Sequence, residues 1–269
     1  MGDPRADPAR QGCALIILRT GAQPLIKSFC TVALAALALT ACSGESTGNA
    51  STAAAPVAPI QPPAGKTWQE MVVKTPEGGY RMGNPDAPIK LVEYGSRLCP
   101  TCGAFGQTGM KPLENTYVAS GKVSYEFREF MVHGAPDFAP ALLGRCGGEG
   151  PFFPILEQMM VAQPQILPKM ESANEFQKSL QGLPPPRVFT AWAERLGYID
   201  FVKQRGIPEA KARACLNDTT QIDALAAMTE KAGTDMKVTG TPTFFLNDAM
   251  LEGQVTWPQV EQSLKGAGA

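Results

Sequence analysis

The stretch LCPTCG, residues 98–103, contains two cysteines separated by two residues, Cys99 and Cys102. It follows the short β-rich run IKLVEY, residues 89–94, which predicts a strand. Two thiols at this spacing can hold a zinc ion, form a permanent disulfide, or exchange electrons with the thiols of other proteins. The surrounding sequence has to decide between these uses.

The residues after the motif predict a strand–helix–strand unit. Residues 102–121 are predicted to form a helix of about four turns, which Pro112 should kink because proline lacks a backbone donor. Residues 122–130, KVSYEFREF, then alternate in the manner of a second strand. Cys99 is therefore expected at the start of the helix.

A helix start favours redox chemistry at the first cysteine. Unpaired N–H groups and the positive end of the helix dipole lower the pKa of a thiol below its free value of about 8.5. Cys102 follows one turn later on the same face, within reach of a disulfide bond. Pro100 suits the first turn, where its missing N–H leaves no bond unmade. We expect Cys99 to be the attacking thiol and Cys102 the resolving thiol.

The other cysteines and the single histidine argue against a metal site. Structural zinc sites usually draw on two close pairs of ligands, but Cys146 and Cys215 are far apart in the sequence. His133 has no second ligand beside it and is predicted to be a loop residue after a strand. A lone histidine without an elbow motif also argues against hydrolases that need a histidine base. We therefore expect no metal.

Residues 77–269 resemble the DsbA-like branch of the thioredoxin superfamily. The resemblance rests on EYGSRLCPTC at 93–102, on the helical patterns that follow, and on GTPTFF at 240–245. It implies an α/β protein, a thioredoxin fold with an inserted helical domain. The implied parts are 67–134 with CPTC, the insertion at 135–220, and 221–269 with the cis-proline loop.

The resemblance also implies roles for residues around the thiols. Pro242 matches the cis-proline that faces the two cysteines in this family, and Thr241 before it would offer its backbone to a substrate chain. Glu93 matches a buried acid that would exchange a proton with Cys102. The residues next to Glu93 do not show which face of the strand it occupies.

Thr101 departs from the family pattern. Strong oxidases of this branch have C-P-H-C, whereas threonine supplies a neutral hydrogen bond and no charge. Thr101 and Pro100 are therefore expected to tune the redox potential, and the direction of electron flow stays open. Cys146 and Cys215 are expected to form a structural disulfide, since spare thiols pair in oxidising compartments and similar pairs occur in related proteins. Two independent core cysteines are the alternative.

The first 66 residues predict export and attachment to a lipid. Residues 1–41 contain a positive residue, a short apolar run and small residues, which is the pattern of a signal peptide. The sequence LTAC resembles the bacterial lipobox, which implies cleavage before Cys42 and acylation of that cysteine. Residues 42–66 are small, polar and rich in proline, and are predicted to be a flexible tether.

The expected function is periplasmic thiol:disulfide exchange through Cys99 and Cys102, with oxidation of exported protein thiols as the expected direction. The protein would be held to a membrane by Cys42 and would depend on a membrane reoxidase or reductase, with no cofactor. Two alternatives stay open: a disulfide reductase or isomerase in cytochrome or metalloprotein assembly, and a metal-binding or metal-delivery lipoprotein. The formal net charge of −1 without a basic stripe argues against nucleic acid.

Overall fold

A computed structural model describes residues 54–269, and within that range six strands form one sheet in the order β1-β2-β4-β3-β5-β6. Strands β3 and β4 are parallel, and every other neighbouring pair is antiparallel. The strands are β1 (Val72–Lys74), β2 (Tyr80–Gly83), β3 (Ile89–Gly95), β4 (Val123–Glu129), β5 (Thr243–Leu246) and β6 (Ala249–Met250).

Helix α1 joins the parallel strands β3 and β4, and a run of helices separates β4 from β5. None of the helices in residues 54–269 is long and apolar enough to cross a membrane. The helices are α1 (Pro100–Pro112), α2 (Ala135–Arg145), α3 (Glu149–Ile166), α4 (Ala173–Ser179), α5 (Pro185–Leu196), α6 (Tyr198–Lys203), α7 (Glu209–Leu216), α8 (Thr219–Thr234) and α9 (Trp257–Gly266).

The sheet is covered on both faces, so its central strands are buried on both sides. On one face, Leu91 and Phe244 pack with aromatic residues of α1 and α9 in a large core. On the other face, Tyr94 and Phe245 pack against Ala232 of α8 in a smaller core. This double burial means that burial does not alternate along β3 and β4, although the sequence of β4 alternates: its polar residues Ser124 and Glu126 are buried as well.

The inserted helices α2 to α7 have a core of their own, and α3 connects it to the sheet. Trp192 and Tyr198 lie fully buried within the insertion. Along α3, Met159 belongs to this helical core, whereas Phe153 and Met160 belong to the core against the sheet. Because one helix contributes to both cores, the insertion is packed directly onto the elements that carry the two thiols.

Two local features differ from the sequence-based expectation. Strands β1 and β2 were not predicted, because they are short and lie among glycines and turns. The helix after the motif does not run on to Gly121 with a kink. It ends as an α-helix at Pro112, and a π-helical segment continues over Leu113–Val118, where the Ala119 N–H donates to the Glu114 carbonyl at 3.0 Å.

The end of the predicted tether lies against the folded part. The N–H groups of Ala54 and Val57 donate to the carbonyls of Gly266 and Gly268 at 3.0 and 2.8 Å, and the Ile60 N–H donates to Ser120 at 2.8 Å. Residues 54–60 therefore differ from the expected free tether, because their backbone finds partners on the domain. The predicted signal peptide and Cys42 lie outside the described residues.

Candidate active site

Cys99 and Cys102 lie where β3 passes into α1. After β3 ends at Gly95, a tight turn places the Cys99 N–H 3.2 Å from the Ser96 carbonyl. Cys99 is the N-cap residue of α1 and Pro100 occupies its first turn, as proline at this position allows. Both cysteines are free thiols, with Cys99 7% exposed and Cys102 fully buried.

The two thiols differ strongly in acidity. A hydrogen bond from the Cys102 thiol lowers the pKa of Cys99 to about 5, helped by Thr241 and by the backbone N–H groups of Cys102 and Thr101, while burial acts against this shift. Burial raises the pKa of Cys102 well above its ordinary value. Near neutral pH, Cys99 is therefore the thiolate and Cys102 remains a thiol.

The cis-proline loop faces Cys99 from the neighbouring strand. Tyr94 on β3 pairs with Thr243 on β5, so the loop before β5 lies beside the end of β3. The Thr241–Pro242 bond is cis, and the Cys99 thiol donates to the Thr241 carbonyl at 3.2 Å. The Thr241 hydroxyl is buried and has no hydrogen-bond partner within the described range, so it is available to donate to a Cys99 thiolate.

Glu93 lies inside the protein, beneath the thiols. It is 1% exposed and accepts a hydrogen bond of 2.6 Å from the Tyr125 hydroxyl. Burial raises the pKa of Glu93 to about 8, and the bond from Tyr125 opposes that shift only partly. Glu93 and Cys102 line the same cavity of about 10 Å³, which is roughly the space of one water molecule.

The structure places Pro100 and Thr101 on the surface, at the first turn of α1. The Thr101 backbone N–H contributes to the low pKa of Cys99. No hydrogen bond of the Thr101 side chain is found in residues 54–269. The neutral side-chain contact that the sequence suggested for Thr101 is therefore made by its backbone instead.

His133 has a partner that the sequence did not reveal. Its ring Nδ1 lies 3.1 Å from the buried carboxylate of Asp137, which also accepts a 2.8 Å hydrogen bond from the Ser96 hydroxyl. The hydrogen bond with Asp137 raises the pKa of His133, and the negative charges of Asp137 and Cys99 add to this shift. The protonated form of His133 is therefore favoured, and its charge would interact with that of Cys99, although position 101 carries no ionisable group.

Gln163 of α3 is a second residue that the sequence gave no reason to select. It is 3% exposed, and its Nε2 donates to the Cys99 carbonyl at 2.9 Å and to the Arg97 carbonyl at 3.1 Å. Sixty-odd residues of chain separate Gln163 from the motif, so only the packing of α3 on α1 could show this contact.

Cys146 and Cys215 form a disulfide away from the motif. It links the end of α2 to α7 within the insertion, across 69 residues of chain. Cys146 packs against the core of the insertion, whereas Cys99 and Cys102 belong to the core against the sheet, so this bond belongs to the insertion rather than to the candidate active site. In the part of the chain that the structure describes, no group of three or more His, Cys, Asp or Glu side chains is placed to hold a metal ion.

Comparisons with known proteins agree with this geometry. A family model described as thioredoxin matches residues 75–266. A Rickettsia bellii protein named "Putative protein-disulfide oxidoreductase" is 27% identical over 192 residues, which cover 71% of this chain and 65% of that protein. The chain thus spans less than two thirds of that relative's length.

Solved structures show the same architecture. The crystal structure of a protein-disulfide isomerase from Novosphingobium aromaticivorans aligns with a TM-score of 0.65 and 27% identity, covering 69% of this chain and 94% of that one. Wolbachia pipientis alpha-DsbA1 aligns with a TM-score of 0.57 and 18% identity, covering 75% and 96%. At that identity the second match concerns the fold alone. The expected thioredoxin fold with a helical insertion is confirmed.

Proposed function

The chain belongs to the thioredoxin family, and from this premise we propose that it is a thiol:disulfide oxidoreductase acting on protein thiols through Cys99 and Cys102. One observation carries the proposal. The pKa of Cys99 is lowered to about 5, while that of the buried Cys102 is raised, which separates an attacking thiol from a resolving thiol. The cis Thr241–Pro242 loop beside Cys99 offers a backbone edge for a substrate chain.

The oxidising reaction proceeds in two exchanges. A substrate thiolate attacks Cys99 Sγ in the disulfide form, the Cys99–Cys102 bond breaks, and Cys102 leaves and takes up a proton. A second substrate thiolate then attacks the substrate sulfur of the mixed disulfide, and Cys99 leaves as a thiolate. The substrate dithiol loses two electrons and becomes a disulfide, and the protein gains them. The low pKa of Cys99 makes it a good leaving group in this second step.

Glu93 is placed to serve the proton transfer at Cys102. A carboxyl with a pKa of about 8 is mostly protonated at neutral pH and can give a proton to an emerging thiolate. Glu93 and Cys102 line one cavity of about 10 Å³, which has room for about one bridging water molecule. In the reducing direction the same carboxylate would accept the proton that Cys102 releases.

The acidity of Cys99 favours oxidation of substrates over their reduction. A stabilised thiolate lowers the free energy of the dithiol form, so the disulfide form gives up its bond more readily. With Thr101 in place of a histidine, this stabilisation comes from Cys102, Thr241 and backbone N–H groups. An integral membrane reoxidase would be needed to restore the Cys99–Cys102 disulfide after each cycle.

Isomerisation is a second candidate, favoured by the likeness to a protein-disulfide isomerase at 27% identity over most of that chain. An isomerase needs Cys99 as a free thiolate, whereas an oxidase needs the Cys99–Cys102 disulfide. The reduction potential and the refolding of a scrambled-disulfide protein separate the two activities. A potential near that of protein disulfide isomerase, about −180 mV, with rescue of the scrambled protein, would favour isomerisation.

The setting we propose is the periplasm, with Cys42 acylated and the signal peptide removed. The lipobox-like sequence supports this placement, as does the Cys146–Cys215 disulfide, because such bonds persist in oxidising compartments. Thiols of exported proteins would then be the substrates.

Active-site variants test the proposed activity. Cys99→Ser should abolish exchange with a dithiol peptide, because it can form no Cys99–Cys102 disulfide, and Cys102→Ala, given the peptide in its disulfide form, should accumulate a mixed disulfide at Cys99. The double variant Cys146→Ser/Cys215→Ser is the control and should keep exchange, since that disulfide lies away from the motif. Stopped-flow fluorescence and intact-mass analysis give the readouts. Full exchange by Cys99→Ser would overturn the proposal.

A further inference from the structure

Helices α1 and α3 approach closely at two glycines that lie one turn apart on α1. Gly103 and Gly106 are three residues apart and face Gln163 and Met160 of α3. A methyl group at position 106 would lie 2.7 Å from the Met160 Cβ, and one at position 103 would collide with the Gln163 Oε1. The glycines thus allow the inserted helix to reach the turn behind Cys99.

The amide of Gln163 uses that approach to bind the motif. Its Nε2 donates to two backbone carbonyls, those of Cys99 at 2.9 Å and Arg97 at 3.1 Å. The Cys99 carbonyl also accepts the first helical hydrogen bond, from the Gly103 N–H at 2.9 Å. Within residues 54–269 no other N–H donates to the Arg97 carbonyl. A buried carbonyl without a donor is costly, so this turn depends on Gln163.

We propose that Gln163 is the positioning residue through which the helical insertion sets the reactivity of Cys99. The proposal deepens the proposed function and rests on it. Carbonyl oxygens carry partial negative charge, and two of them lie in the turn that presents the Cys99 sulfur. By donating to both, the Gln163 amide holds them in place and offsets their charge. The dithiol form gains most, because it holds the Cys99 thiolate.

A purely structural role for Gln163 makes a different prediction. A buried amide that only fills space and satisfies carbonyls would change stability when replaced, but would leave the redox equilibrium of the folded protein unchanged. The reduction potential and the pKa of Cys99 therefore separate the two roles, since both compare states of the folded protein.

The test replaces Gln163 with methionine, which keeps the length of the side chain and removes the amide. We expect the pKa of Cys99 to rise by about one unit and the equilibrium with glutathione to move about tenfold toward the disulfide form, a potential lower by about 30 mV. The control is Gln177→Met, which removes a half-buried contact within the insertion, the hydrogen bond that the Trp192 Nε1 donates to the Gln177 Oε1 at 2.8 Å. This control should leave the pKa of Cys99 within about 0.3 unit and the equilibrium with glutathione within about twofold of the wild-type values.

Gln163→Asn, which pulls the amide back by one methylene, should give a smaller shift in the same direction. In the wild type, the Gln163 side-chain amide resonances should move between the reduced and oxidised forms, and those of Gln177 should not. Equal potentials for Gln163→Met and Gln177→Met, or Gln163 resonances that ignore the redox state, would overturn the proposal. Glutathione equilibria need no protein substrate, so these outcomes are distinct from a failure of substrate exchange.

Discussion

Glu93 is a buried acid that makes the stability of this protein depend on pH. The pKa of Glu93 is raised from 4.5 to about 8, so the native state holds a proton that the unfolded state releases above pH 4.5. The contribution of protonated Glu93 to the free energy of unfolding is fully present below about pH 4.5 and is lost as the pH rises toward 8. The protein should therefore become less stable over this range on account of Glu93.

Glu93→Gln should stabilise the dithiol form at pH 7 by on the order of 3 kcal/mol, because glutamine need not lose a proton on unfolding. It can still accept the bond from Tyr125. The gain over the wild type should vanish near pH 4.5. Urea unfolding of variant and wild type, both kept in the dithiol form, at several pH values measures this difference, and a gain independent of pH would contradict the shifted pKa.

The same substitution should slow exchange, because Cys102 loses its proton partner. Glu126→Gln is the matched control, since this carboxylate lies on β4 and bonds Arg128 and Thr75 rather than the thiols. Equal rates for the two variants would contradict the role of Glu93.

At the scale of the elements, the strand–helix–strand unit around CPTC was predictable from the sequence, but its burial on both faces of the sheet was not. A strand, a cysteine pair and a proline in the first turn determine that Cys99 caps α1. The face that Glu93 occupies was not predictable, because β3 is covered on both sides and its pattern does not alternate. His133 and Asp137 are only four residues apart, but their closeness to Cys99 depends on how β3 and β4 end together.

Gln163 is the clearest example of a site residue that could not be predicted from the sequence. A glutamine in a predicted helix carries no sign of its function, and its partner carbonyls belong to the backbone, which every residue has. The one available signal was the spacing of Gly103 and Gly106, which permits close helix packing. That signal identifies a face of α1 but not the helix that packs on it.

The packing of α1 on α3 gives a second prediction at this scale. Gly106→Ala should destabilise the protein by about 1–3 kcal/mol, because the added methyl group overlaps Met160 in a full core. Gly233→Ala in α8 is the control, since the nearest atom there lies 3.8 Å away. It should stabilise by up to about 1 kcal/mol through helix propensity. Urea midpoints at constant m-value compare the two, and a stabilising Gly106→Ala would mean that α3 can move away.

For the whole molecule, two cores share one helix. The insertion has its own core and disulfide, and α3 joins it to the sheet that carries the thiols. The resemblance to the DsbA-like branch predicted the order of these parts, because G-T-P follows CPTC at the right distance for an insertion. It did not predict β1 and β2, which extend the sheet on the side away from the cis-proline loop.

The proposed anchoring is tested on the full chain. Cys42→Ala should leave the precursor uncleaved and without acyl label, because lipidation precedes cleavage at a lipobox. Cys30→Ala, within the predicted signal peptide, should be processed and labelled like the wild type. Metabolic labelling with a fatty acid and N-terminal sequencing are the readouts. A wild-type protein without label, or with a mature N-terminus other than Cys42, would refute the anchoring.

The contacts of residues 54–60 fix the side of the domain on which the N-terminal segment lies. Ile60 is bonded to Ser120, next to the point where β3 and β4 begin, whereas Cys99 lies beyond the end at which β3 finishes. Seven residues of strand separate the two ends, about 23 Å. Under the proposed anchoring, the N-terminal segment would leave the domain at the end opposite to the thiols. The thiols would then lie at the end of the domain that is farthest from the membrane, accessible to substrate chains and to a membrane reoxidase.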